Sequence, residues 1–308
     1  MRTDFVLTCL GPSLTPEVTH GITSCLADAC IAEGERKTLS ESDPECIEIK
    51  TSLESGIDPD ELIQKLRQQA TPFGADVVLQ RDSSDRRDKK LLVMDMDSTL
   101  IQVEVIDELA KEAGIGDAVA SITRRAMNGE LNFNESLRER VGLLKGLPVS
   151  VLNTVYKRLP LTAGAQGLLS FLQKRGCKTG VLSGGFDYFT TRIKTALRMD
   201  YAHSNRLEVK DGVLTGKVVG EIVNGDKKVA LLKEIADRES IPLNQTIAIG
   251  DGANDLPMIQ RAGLGIAFNA KPAVRAAAPC SITQNSLLTV LYLLGFSRKD
   301  IDAFLQAQ

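Results

Sequence analysis

Four apolar residues, Leu91-Leu92-Val93-Met94, run without a break into Asp95-Met96-Asp97-Ser98-Thr99. A strand with no polar alternation is buried on both faces, the condition of a parallel sheet covered by helices on either side. Ligands of such sheets sit beyond the carboxyl ends of the strands, which is where Asp95 and Asp97 fall. Two carboxylates this close repel each other unless a cation neutralises them. Oxygen ligands with no Cys or His nearby favour Mg²⁺. An acidic turn after a core strand would look the same, so the remainder of the chain has to decide between the two.

With 308 residues there is material for one large or two ordinary domains. A hydrophobic content of 43%, a charged content of 25% and a net charge of -3 are those of an ordinary globular protein in water, with no basic stripe for nucleic acid. The 6 cysteines show no paired metal spacing, and only 2 histidines (His20 and His203) are present, so a zinc site is not expected. Cys25 and Cys30 are expected along one helix as small buried hydrophobes. Met1 to Phe5 lacks the apolar segment of a secretory signal, and the apolar run Leu287 to Phe296 is too short to span a bilayer. The expectation is a reduced, cytoplasmic setting with neither membrane nor nucleic acid as partner.

Residues 1–82 read as a small α+β unit. Phe5 to Leu10 is a strand that stops at Gly11-Pro12, and a helix follows from about Thr15. In the strand Cys46 to Lys50, Ile47 and Ile49 are expected to point inward while Glu48 and Lys50 face water. Asp58-Pro59-Asp60 opens a second helix, and Ala75 to Leu79 returns as a strand. The order β-α-β-β-α-β suits a ferredoxin-like sandwich, although one middle strand is poorly marked. By element order the unit resembles an ACT-type domain, which implies either ligand sensing or homodimerisation. The wholly polar residues 83–90 read as a linker.

Residues 91–308 read as α/β, a doubly wound parallel sheet interrupted by a helical cap at about 103–160. Ile106, Leu109, Ala110 and Ala113 begin the helical stripes, and no strand pattern intervenes before Pro160. Alternation then resumes: a helix at Gly164 to Lys174, a strand at Lys178 to Leu182 and a helix from about Tyr188. A polar hairpin from Arg206 to Val223, a helix at Lys228 to Arg238, and strands at Thr246 to Ile249 and Leu264 to Phe268 complete it.

Polar residues recur where this sheet's edge should be: Ser183-Gly184-Gly185, then Lys228, then Gly250-Asp251-Gly252-Ala253-Asn254-Asp255. Each alone is an ordinary turn or a solvated lysine. Together with Asp95 and Asp97 they supply what phosphoryl transfer needs: a nucleophile, ligands for a metal and donors for the phosphoryl oxygens. These four ordered motifs resemble those of the haloacid dehalogenase-like phosphatases, with Met96 where that family more often has Phe. Glu104, together with Ala126 to Phe133 leading to Arg138-Glu139-Arg140-Val141, narrows the resemblance to its phosphoserine phosphatases.

The resemblance implies roles. Asp95 would be the nucleophile and Asp97 the general acid and base. Mg²⁺ would be held by Asp95, the Asp97 carbonyl and Asp251, with Asp255 in support. Ser183, the Gly184 amide and Lys228 would meet the phosphoryl charge, and Asn254 would touch phosphate or water. Glu104 would take the ammonium and Arg140 the carboxylate of a small amino-acid substrate, with Met127 and Phe133 closing the apolar side. The activity implied is hydrolysis of phosphoserine to serine and phosphate, the last step of serine synthesis. Two rival readings remain: transfer of the phosphoryl group to another alcohol such as homoserine, and a non-catalytic amino-acid-binding regulator.

Overall fold

The first eighty or so residues set apolar-rich stretches between polar turns. In the computed structural model, which describes residues 2–307, they form β1 (Arg2–Gly11), α1 (Pro16–Asp28), β2 (Glu33–Ser40), β3 (Glu45–Glu54), α2 (Pro59–Ala70) and β4 (Asp76–Arg81). The sheet is antiparallel in the order β2-β3-β1-β4, a ferredoxin-like arrangement. Its inward face packs Leu7, Cys9, Ile49 and Val77 against Val18, Ile22 and Leu26 of α1 and Leu62, Ile63 and Leu66 of α2. Helix α2 starts where Asp58 accepts the Asp60 N–H at 2.9 Å, and Pro59 in the first turn has no donor to satisfy. Strand β2 is the poorly marked one: Glu33 to Thr38 are all exposed, so its ladder with β3 holds it rather than an apolar face.

Two expectations fail here. Cys30 lies beyond the end of α1, exposed and at a φ of 57°, while Cys25 is half-buried, so the two do not share a helix. Glu48 does not face water. It is buried in an ion pair with Arg86 at 2.6 Å, and Arg86 Nε donates to the Leu293 carbonyl at 2.8 Å. Period-2 alternation placed Glu48 correctly on the face away from α1 and α2, but could not show that this face is covered. Losing one member of a buried pair strands the other charge, at about 3–5 kcal/mol. Arg86→Met should therefore lower the urea midpoint markedly, and Glu48→Leu added to it should restore part of the loss.

One compact unit takes in residues 1–89, 163–175 and 266–308, and the other takes in 90–162 and 176–265. Within the first, Asp76 on β4 accepts from the Thr283 N–H (2.7 Å), Thr283 Oγ1 (2.9 Å) and Gln284 Nε2 (3.0 Å).

The remaining elements, in chain order, begin with β5 (Leu91–Met94), α3 (Val105–Glu112), α4 (Gly116–Met127), α5 (Phe133–Gly142), α6 (Ser150–Tyr156) and α7 (Ala165–Lys174). Then come β6 (Lys178–Phe186), α8 (Asp187–Ala196), β7 (Tyr201–Lys210), β8 (Val213–Val219), α9 (Gly225–Arg238) and β9 (Thr246–Gly250). The chain ends with α10 (Leu256–Arg261), β10 (Leu264–Phe268), α11 (Pro272–Ala277), β11 (Cys280–Ile282), α12 (Val290–Leu293) and α13 (Arg298–Gln306).

The sheet order is β11-β10-β9-β5-β6-β7-β8. Strand β5 pairs in parallel with β6 and β9, and β6 in parallel with β7; β8 folds back antiparallel on β7. Every residue of β5 is buried, with Leu91 and Val93 packing on Leu231, Leu232 and Ile235 of α9 and Met258 of α10. At roughly 1.5–3 kcal/mol per buried aliphatic side chain, this packing fixes the strand whose end carries Asp95. The stretch expected to be helical holds α3 to α6.

Candidate active site

Asp95, Asp97, Asp251 and Asp255 sit on segments that leave the carboxyl ends of β5 and β9, Ser183 lies in the carboxyl half of β6, and Lys228 lies in the first turn of α9. Strand β5 ends with the Asp95 N–H donating to the Ile249 carbonyl at 2.9 Å, which seats Asp95 beside the Gly250-Asp251 turn. The chain then coils tightly through Ser98, at a φ of 55°. That coil places Thr99 Oγ1 within 2.9 Å of Asp251 Oδ1, and Asp97 Oδ1 accepts the Val105 N–H at 3.0 Å.

Lys228 is fully buried, and its Nζ lies 2.6 Å from Asp255 Oδ1 and 2.8 Å from Asp95 Oδ1. The other Asp255 oxygen accepts the Asp251 N–H (3.1 Å) and the Gly252 N–H (2.9 Å). Asp255 is thus committed at both oxygens to holding the lysine and the turn. The contact from Lys228 to Asp95 Oδ1 is a close ion pair without hydrogen-bond alignment, which leaves that oxygen short of a donor.

Asp95, Asp251 and Asp255 each offer a carboxylate oxygen within 4.8 Å of the others. Burial, then the Asp255 charge, pushes the Asp95 carboxyl up to about 8. The same two causes push Asp251 up to about 7. Asp97 is driven well above the usual carboxylate range by burial, then by Glu104 and Asp95. Lys228 is raised as well: burial opposes its charge, but Asp255 and Asp95 outweigh burial and hold it protonated. An all-oxygen, buried, mutually repelling set with an under-coordinated oxygen fits a divalent metal ion.

A thermal consequence follows for the metal-free protein. Asp95 and Asp251 bind protons more tightly folded than unfolded, so their contribution to stability is largest at low pH. It is lost as pH rises from about 4, the unfolded range, through about 7 to 8. Stabilisation by added divalent cation, read as a rise in Tm over an EDTA control, should accordingly be larger at pH 8 than at pH 5.

Around this centre, Ser183 is buried and its Oγ accepts the Gly185 N–H at 2.8 Å. A side chain at Gly185 would begin 2.5 Å from Asp97 Oδ2, and one at Gly184 would begin 2.7 Å from the Phe133 ring. Both glycines are needed for close approach. Phe133 therefore packs against Gly184. Met127, at the end of α4, stands 64% exposed. Glu104 Oε1 accepts from Ser98 Oγ at 2.8 Å, and Arg140 Nε donates to the Ser136 carbonyl at 3.3 Å. Glu104 and Arg140 lie close enough for each to feel the other's charge. Asn254 folds over Gly252 within the turn after β9. Ser98, Thr99 and Asn205 were not singled out by sequence. The first two sit inside the motif as apparent spacers, and Asn205 lies in a half of β7 that carries no apolar alternation.

The same residues place the chain among known proteins. A model of the haloacid dehalogenase-like hydrolases matches residues 92–260. A phosphoserine phosphatase of Archaeoglobus fulgidus is 50% identical over 77% of this chain and 69% of its own length. One of Saccharomyces cerevisiae is 41% identical over 96% of this chain and 98% of its own length. The crystal structure of a haloacid dehalogenase family hydrolase from Salmonella enterica serovar Typhi superposes with a TM-score of 0.81 at 32% identity, covering 94% of this chain and 98% of that one. With the motif residues gathered at one sheet edge and more than half of the sequence matched, the chain belongs to the haloacid dehalogenase-like hydrolase family.

Proposed function

We infer that the chain is a phosphoserine phosphatase, hydrolysing O-phospho-L-serine to L-serine and phosphate as the last step of serine synthesis. The observation that carries this is the buried Lys228 bridging Asp95 and Asp255, with Asp251 beside them and the Glu104 and Arg140 charges nearby. Identities of 41% and 50% to proteins named phosphoserine phosphatase support the substrate.

Asp95, the Asp97 carbonyl oxygen and Asp251 would hold Mg²⁺, with Asp255 in support, and the ion supplies positive charge beside the phosphoryl oxygens when bound. Asp95 attacks phosphorus through a carboxylate oxygen as the P–O bond to serine breaks. Asp97, whose burial beside Glu104 and Asp95 favours the protonated form, gives its proton to the departing serine oxygen. An aspartyl-phosphate is left on Asp95. The Asp97 carboxylate then takes a proton from the water that attacks this phosphorus, and Asp95 is regenerated with release of phosphate. Ser183, the Gly184 amide and Lys228 face the phosphoryl charge throughout, and Asn254 touches phosphate or water. Glu104 pairs with the substrate ammonium and Arg140 with its carboxylate. Phe133 lines the apolar side, and Met127 joins it when the cap settles on substrate.

We also propose a division of labour along the chain. Residues 1–82 are the regulatory or dimerising part, 83–90 the linker, and 91–308 the phosphatase with its cap at about 103–160. The proposed setting is cytoplasmic; no helix among the described residues is long and apolar enough to cross a membrane. The test is phosphate release from a panel of small phosphomonoesters with and without EDTA. Phosphoserine should lead the panel, and EDTA should abolish turnover until Mg²⁺ is restored. A better substrate lacking the amino and carboxylate groups would overturn the assignment.

A further inference from the structure

We propose that Asn205 is a positioning residue, clamping the Gly184–Gly185 peptide to the approach of α9 so that the Ser183 hydroxyl and the Lys228 ammonium face the same phosphoryl group. This rests on the reading of Ser183 and Lys228 given under the proposed function. The need for a clamp comes from the sheet register. Strand β6 pairs with β7 at Leu182 opposite His203 and again at Phe186 opposite Asn205. Ser183, Gly184 and Gly185 thus bulge out against Ser204 alone, and the ladder does not fix their peptide planes. Two adjacent glycines make that segment more pliant still.

Asn205 supplies the missing constraint. Its Nδ2 donates to the Gly184 carbonyl at 2.7 Å, while the N–H of the same peptide, on Gly185, donates to Ser183 Oγ at 2.8 Å. That peptide is held at both ends. The bond to Ser183 uses an acceptor lone pair, which leaves the hydroxyl hydrogen free to donate to a phosphoryl oxygen. The other end of the Asn205 amide, Oδ1, accepts the Val223 N–H at 2.8 Å. Asn224 follows directly and caps α9 by accepting the Lys227 N–H at 3.0 Å, and Lys228 donates its own N–H to the Asn224 carbonyl at 2.9 Å. One buried amide therefore ties the segment carrying the hydroxyl to the start of the helix carrying the ammonium. The pairing of a carbonyl with an N–H leaves the amide only one satisfied orientation.

Aspartate in place of Asn205 keeps the acceptor for Val223 but turns an oxygen onto the Gly184 carbonyl. The experiment compares Asn205→Asp with Thr190→Val, which removes a neighbouring part-buried side-chain hydrogen bond to Ser204 (2.7 Å) and leaves both Asn205 bonds in place. Both are assayed on phosphoserine well below their melting temperatures. Asn205→Asp should lower kcat about 10- to 100-fold with KM changed less than about 3-fold, while Thr190→Val leaves both near wild type. Wild-type kcat in folded Asn205→Asp, or an equal loss of kcat in both variants, would overturn the clamp. Asn205→Ser is judged by the same criteria if the aspartate variant does not fold. If wild type fails to hydrolyse phosphoserine, it is the substrate reading that has failed. The clamp is then judged by amide exchange, where Asn205→Asp should speed exchange of the Gly185 N–H at least about 10-fold and an unchanged rate would overturn it.

Discussion

Replacing Asp95 with Asn is expected to lower kcat for phosphoserine by on the order of 10⁴-fold or more, the scale seen when a covalent nucleophile is removed. An amide has the shape of the carboxylate but no charge to attack phosphorus. The fold should survive, because the change removes a negative charge from a crowded group. Lys228 keeps its 2.6 Å partner in Asp255. Asn at this position also cannot carry a phosphoryl group, so rapid-quench experiments with labelled substrate should trap phosphate on wild-type protein and none on the variant. A folded Asp95→Asn protein turning over within tenfold of wild type would show that the nucleophile lies elsewhere.

Lys228→Met should harm catalysis and stability together. The ammonium is fully buried between two carboxylates, and methionine matches its length without its charge. Removing one preorganised charge from a phosphoryl site costs about 10²–10³-fold in kcat. Leaving Asp95 and Asp255 without their common partner costs about 3–5 kcal/mol in the metal-free fold, measurable by urea denaturation at pH 8. The deficit should shrink at pH 5. Lys228 holds Asp95 down against burial and its acidic neighbours, so its loss raises the Asp95 carboxyl further, and a protonated Asp95 no longer needs a cation. Adding Asp255→Asn should recover part of the stability and none of the activity. A Lys228→Met protein with kcat within threefold of wild type would remove the lysine from the chemistry.

The two variants also mark where sequence reading succeeds. Leu91 to Met94 announces its own burial, and a buried strand in a parallel sheet has one edge at which ligands bind, so Asp95 and Asp97 could be placed before any coordinates. Lys228 and the Gly250 to Asp255 turn followed only from their order after Asp95 and Asp97 and from the family resemblance, since each alone reads as a solvated lysine or an ordinary turn. What stayed hidden depends on partners distant in sequence. Glu48 looks solvated until Arg86 and the Leu293 carbonyl arrive to cover it. Asn205 follows Tyr201 to Ser204, which are all half-buried and show no period. Strand β11 is three residues long and takes its identity from pairing with β10. Cys30 deceived for a local reason: the turn that ends α1 sends the Ile31 N–H back to the Leu26 carbonyl and swings the preceding thiol outward.

Asp76 is a single carboxylate on β4 of the N-terminal antiparallel sheet, yet three donors from Thr283 and Gln284 converge on it. Trimming the gene after codon 82 to obtain a minimal enzyme would delete that acceptor together with Glu48, and would orphan the donors that β11 leads into. For this chain the opening eighty or so residues are a co-folding partner of the tail, and a shortened version inherits a tail evolved to lean on something no longer there.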